Sequence, residues 1–175
     1  IAIGCEGTFV ARSIDVNIKH LGATLRRAAE HRGTAFIEVY QNCNVFNDGA
    51  WEYATSRETK ADTIIELEHG KPLIFGKNRD KGLRLDGDVI EVVELEKVSQ
   101  DDLIIHDEKA SDASLAYRLA RMHHPEFPVP LGVFLAVEKP TYDGMLMDQL
   151  SQAREARGPG ELKKLFHAGD TWTVE

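Results

Sequence analysis

Apolar residues at Ile18, Leu21, Leu25, Ala28 and Ala29 fall three or four positions apart, with Lys19, Arg26, Arg27 and Glu30 between them. That period predicts a helix over residues 15–32. Asp15 or Asn17 supplies an N-cap oxygen, and His31-Arg32-Gly33 supplies a basic last turn with a C′ glycine. Two β-prone runs flank it, residues 8–12 and the mostly apolar 34–40. Strand, helix and strand make one βαβ unit, expected to be parallel and right-handed.

The pattern then shortens. Residues 64–68, 72–75, 83–85 and 89–95 are brief strand-like runs separated by glycine-bearing breaks, and Asp86-Gly87 between two of them is a hairpin signal. This stretch reads as an antiparallel excursion from the α/β body. A further strand is expected over 103–106. A helix capped by Ser111 or Asp112 should run through Leu115, Leu119 and Met122 and stop at Pro125. After the extended Pro128-Val129-Pro130 come a strand over 132–137, a helix over 142–157 and, past Gly158-Pro159-Gly160, a basic amphipathic piece over 162–166.

Composition narrows the class. The 42% hydrophobic share is too high for disorder, and 175 residues suffice to bury a core. A formal charge of −8 argues against nucleic acid, which draws on clustered Lys and Arg. No apolar run approaches the ~20 residues of a membrane span. Two cysteines form no disulfide framework, so a reducing cytoplasm is the expected setting. Ile1-Ala2-Ile3 reads as a strand or helix entered halfway, and the chain is expected to be a piece of a longer enzyme without a complete active site.

Cys43 is the leading candidate for chemistry. It follows the C-terminal end of the strand predicted over 34–40, the edge at which open α/β sheets bind ligands. Its neighbours Gln41, Asn42, Asn44, Asn47 and Asp48 are polar. Position alone favours a buried, inert thiol, and the same reading holds for Cys5 between Gly4 and Glu6. Asp86-Gly87-Asp88 is a tight turn: a thiamine-type metal motif needs a later Asn, and none follows Asn78. His123 and His124 are adjacent and diverge by ~100° on a helix, and no histidine pair stands at i, i+4, so solvated or capping roles are expected. Nucleotide-loop and serine-hydrolase motifs are missing.

Several runs together carry a resemblance. They are residues 7–12, the long run 31–47 from His31 through Cys43 to Phe46-Asn47, residues 68–72, Pro130-Leu131-Gly132-Val133-Phe134 and 138–142. In this order they resemble the β subunit of 2-oxoacid:ferredoxin oxidoreductases, most closely the 2-oxoglutarate type. The resemblance implies an α/β fold, part of a thiamine-diphosphate-binding three-layer fold with a parallel sheet and helices, plus a C-terminal antiparallel β arm and terminal helices. Residues 1–50 would then be the end of the thiamine-diphosphate domain, 51–100 a β-rich arm and 101–175 a strand and helix region.

The same resemblance implies Cys43 as one thiolate ligand of a 4Fe–4S cluster, with the other ligands, thiamine diphosphate and Mg²⁺ held elsewhere in the subunit. It implies no catalytic residue within this segment. The implied reaction is oxidative decarboxylation of a 2-oxoacid with coenzyme A to acyl-CoA and CO₂, electrons passing through the cluster to ferredoxin. The α subunit, ferredoxin, the 2-oxoacid and coenzyme A are the implied partners. Asn44 and Asn47 would serve as supporting or turn residues. Two alternatives stay open: a metal-free interaction module on the same fold, and the same enzyme acting on pyruvate.

Overall fold

The computed structural model describes residues 1–172 and 174 and divides into two units, Ile1–Lys139 and Pro140–Glu175. Ile1–Gly7 is a set of linked turns, with Cys5 N–H donating to the Ile1 carbonyl and Gly7 N–H to that of Ala2, so the expected strand or helix entered halfway is not there. Strand β1 (Phe9–Ile14) follows, then α1 (Ile18–Glu30) and β2 (Ala35–Tyr40). Asn17 caps α1 through its side chain, which accepts from His20 N–H. β1 and β2 are parallel and in register from Phe9 opposite Ala35 to Ile14 opposite Tyr40, as the βαβ pattern predicts.

The C′ glycine works differently from the expectation. His31 closes α1 in an extended conformation, and Gly33, at φ +145°, carries the chain into β2. A Cβ there would stand 2.4 Å from Thr8 Oγ1, so glycine answers to crowding by the Thr8 and His31 side chains as well as to its dihedral.

The short helices α2 (Glu52–Thr55) and α3 (Lys60–Thr63) lead to β3 (Ile64–Leu67). Then β4 (Ile74–Phe75), β5 (Lys81–Asp86) and β6 (Val89–Glu94) form a separate antiparallel sheet in the order β4-β5-β6. The β5–β6 turn is the Asp86-Gly87 hairpin, with Gly87 at φ +57°. Residues 103–106 make only isolated bridges, Leu103 with Arg84 and Ile105 with Pro72, rather than a full strand. Helix α4 (Ser114–Ala120) has its N-cap at Ala113, one residue beyond Asp112. Asp112 still accepts from Ser114 N–H at 2.9 Å, and Met122 lies past the end of the helix yet is buried.

Strand β7 (Val129–Ala136) completes a four-stranded sheet, β2-β1-β7-β3. This sheet is mixed, not all parallel as expected, because β7 runs antiparallel to β1 and parallel to β3. Gly132, at φ +130°, lets β7 approach β3 where any Cβ would meet the Leu67 carbonyl at 2.8 Å. Alternation along β1 divides the core. Phe9 and Ala11 pack with Val133 and Ala28 of α1, while Val10 joins Phe134, Leu83, Phe75 and Leu119 in the cluster under β4–β6 and α4. Removing a side chain of this size from water stabilises by about 1.5–3 kcal/mol.

The second unit holds α5 (Tyr142–Arg157), capped by Thr141, and α6 (Leu162–Phe166). No helix among the described residues is long and apolar enough to cross a membrane.

Candidate functional site

Ten residues separate Tyr40, the last of β2, from Trp51 at the start of α2, and the two rings that bracket them stack at 3.8 Å with 15° between their planes. The Arg12 guanidinium also lies over the Tyr40 ring, 5.1 Å from its centroid. Arg12 is buried. Its Nε donates to Glu38 Oε2 at 2.7 Å, one Nη donates to the Ala120 carbonyl at 3.0 Å, and the other Nη has no hydrogen-bond partner among the described residues. The base of the loop therefore rests on a buried cation and an aromatic pair. Burial pushes the Tyr40 hydroxyl above its ordinary pKa, while Arg12 pulls the other way.

Within the loop one side chain makes most of the polar contacts. Asn42 Nδ2 donates to Asn44 Oδ1 at 2.7 Å and to Asp48 Oδ1 at 2.8 Å, and its Oδ1 accepts from Gly49 N–H at 2.9 Å. Asn47 N–H donates to the Cys43 carbonyl at 3.0 Å. The backbone amides beside it, that of Phe46 most and then those of Val45 and Asn47, hold the Cys43 thiol below its ordinary value. Cys43 is exposed, and so are Val45 at 83% and Phe46 at 91%, an unusual display of apolar surface at a loop tip.

The buried-thiol reading of Cys43 is thus overturned by position: the chain has left the sheet before reaching it. Cys5 is exposed as well, on the turns that precede β1. Among the histidines, His31 bonds Thr8 Oγ1 at 2.9 Å beside the α1 terminus. His106 departs from the solvated role, being buried with Nε2 donating to the Val133 carbonyl at 2.7 Å. No group of three His, Cys, Asp or Glu residues placed to hold a metal occurs among the described residues. A cavity of about 340 Å³ lined by Asn17, Glu66, Lys71 and Arg79 contains neither cysteine. The sequence reading missed the Asn42 contacts and the Tyr40–Trp51 stack. The available signal was an Asn-rich tract bracketed by two aromatic residues.

No family model matches the chain. It is 36% identical, along its whole length, to the 2-oxoglutarate oxidoreductase subunit KorB of Mycobacterium tuberculosis, of which it covers 48%. The chain is related to the β subunits of 2-oxoacid:ferredoxin oxidoreductases. A 2-oxoacid:ferredoxin oxidoreductase β subunit from a Sulfolobus species is 38% identical over 39% of this chain and 23% of that protein. The fold agrees too: a 2-oxoglutarate:ferredoxin oxidoreductase from Magnetococcus marinus, solved with 2-oxoglutarate, coenzyme A and succinyl-CoA bound, superposes with a TM-score of 0.50. That match has 20% identity and covers 93% of this chain and 41% of that one. The chain spans about half the length of the KorB protein it matches and a smaller share of the others. These oxidoreductase β subunits are parts of an enzyme, and a mixed α/β sheet with helices is the architecture shared with the solved one.

Proposed function

We propose that this chain is part of the β subunit of a 2-oxoglutarate-type 2-oxoacid:ferredoxin oxidoreductase and that Cys43 is a ligand of its 4Fe–4S cluster. The observation that carries the reading is an exposed thiol just past the C-terminal end of the parallel strand β2, held below its ordinary pKa by the backbone amides around it. Such amides favour the thiolate, the form that binds iron, and hydrogen bonds to ligand sulfurs are one of the levers on cluster potential. The donor chemistry fits one corner of a cluster. Two cysteines cannot supply four thiolates, so further ligands come from outside this chain.

When bound, the cluster supplies one-electron transfer. The chain's own part is to present the Cys43 sulfur, to favour its thiolate through the amides of residues 45–47, and to anchor the loop base with Arg12, Tyr40 and Trp51. The rest of the reading concerns the whole enzyme. A thiamine-diphosphate and Mg²⁺ centre in the remainder of the subunit, an α subunit, coenzyme A and ferredoxin complete a cytoplasmic oxidative decarboxylation of 2-oxoglutarate. No thiamine contact is assigned to residues of this chain.

The test is iron content and the visible spectrum of the native complex, purified without oxygen, for wild type and Cys43→Ser. The reading expects about four irons per β subunit in wild type and loss or a sharp reduction in the variant. Iron-free wild type, or a variant that keeps both its cluster and its activity, sinks it.

A further inference from the structure

We propose that the cleft between β3 and β4 binds a small organic anion, a phosphate or carboxylate carried on an apolar body, through Lys60 and Arg79. The cleft holds about 340 Å³, at the lower end of the range for ligand pockets, and no residue of the cysteine loop lines it. Ile64, Ile74 and Leu131 supply apolar lining. Of the cations around it, Lys71 is paired with Glu68 and the neighbouring Lys81 with Asp62. Lys60 and Arg79 also line the cleft and have no carboxylate partner among the described residues, in a chain whose formal charge is −8. Local structure ties these two together. Gly76 N–H donates to the Ala61 carbonyl at 3.1 Å and Lys77 N–H to Asp62 Oδ1 at 3.2 Å, so the turn that carries Arg79 is fastened to the helix that carries Lys60. Arg79 N–H closes that turn on the Gly76 carbonyl at 2.9 Å, and Arg79 itself sits at φ +53°, a conformation that glycine and asparagine take readily and arginine does not. A guanidinium matches the paired oxygens of a phosphate or carboxylate, and a bound anion offsets the cost of holding arginine there. Glu66, a lining carboxylate without a cation partner among the described residues, opposes the anion.

The test is a saturation-transfer NMR titration of the native complex, purified without oxygen, with phenyl phosphate, benzoate and benzyl alcohol as probes and inorganic phosphate as a competitor. Both cations are exposed, so phenyl phosphate should bind with a Kd on the order of 1 mM and weaken as salt is added. Lys60→Gln and Arg79→Gln should each weaken it roughly tenfold, and Glu66→Gln should tighten it a few-fold. Benzoate binding as well as the ester assigns the site to anions in general, and binding of the ester alone assigns it to phosphates. Inorganic phosphate should compete only weakly, because it lacks the apolar body. Arg79→Gly should weaken the ester as much as Arg79→Gln does and raise the urea midpoint at the same time, since glycine takes positive φ freely. A merely structural arginine would not exchange binding for stability in this way. Benzyl alcohol binding as tightly as the ester, or affinity unchanged in both Lys60→Gln and Arg79→Gln, overturns the proposal. So does an absence of binding at tens of millimolar ester. None of these results touches the Cys43 assignment, which iron content reads separately.

Discussion

Strands β1 and β2 come from one βαβ unit, have six residues each and pair one to one, yet all six residues of β1 are buried while β2 is exposed or half-buried throughout. Sheet position makes the difference. β1 lies between β2 and β7, whereas β2 forms the edge of the sheet, with Phe36 and Val39 in solvent. Their roles differ accordingly: β1 organises the core, and β2 delivers the chain to the cysteine loop from a margin that has little packing on it. An apolar edge strand followed by a loop with an exposed cysteine is poor design for a free-standing domain. It suits a surface completed by further protein.

Phenylalanine truncations on the two strands should show the largest contrast. Phe9→Ala opens a cavity between α1 and the sheet and should cost about 3–5 kcal/mol in urea unfolding. Phe36→Ala, half-exposed on β2, should cost about 0.5 kcal/mol or less. Similar losses at the two sites would mean that β2 is packed in solution and that the contrast is false.

The helix period of α1, the Asp86-Gly87 hairpin and the extent of α5 were legible because each depends on local spacing or a single turn. Burial along β2 was not legible: Ala35, Phe36, Ile37 and Val39 make the strand mostly apolar, and only the strand order makes it an edge. The antiparallel entry of β7 beside β1 was hidden for the same reason, since pairing between residues more than a hundred positions apart leaves no local trace. At the site, the position of Cys43 past the strand could be read. The convergence of three hydrogen bonds on Asn42 could not, because an Asn-rich tract gives turn propensity but not the identity of its partners.

The link between the strands provides a second, smaller test. Gly33→Ala places a Cβ 2.4 Å from Thr8 Oγ1 and asks alanine to adopt φ +145°. A loss of about 1–3 kcal/mol is expected in urea unfolding. The double variant Gly33→Ala/Thr8→Ala relieves the contact but not the dihedral and should recover only part of that loss. Full recovery would assign the whole constraint to crowding, and no loss in the single variant would show that the β2 end of the connection adapts freely.

The smallest effect concerns the covered side of β1. His106 Nε2 donates to the Val133 carbonyl of β7, and Nδ1 is buried without a partner among the described residues. Burial lowers its pKa below the ordinary 6.5, against the opposing pull of the Val133 carbonyl and Glu108. A depressed histidine contributes its stability above the unfolded-state value and loses it as the pH falls toward and through the folded one. Acid should therefore weaken the side of β1 that β7 covers, with the loss starting near pH 6.5. Between pH 7.5 and 5.5 the urea midpoint of wild type should fall further than that of His106→Gln, whatever the absolute stability of the variant. His20, half-buried and also lowered mainly by desolvation, adds a slope of the same sign, so the variant should retain part of the fall. Parallel pH profiles for the two proteins would show that His106 accepts its proton without disturbing β7. The greater stability of the inner strand would then owe nothing to this buried ring.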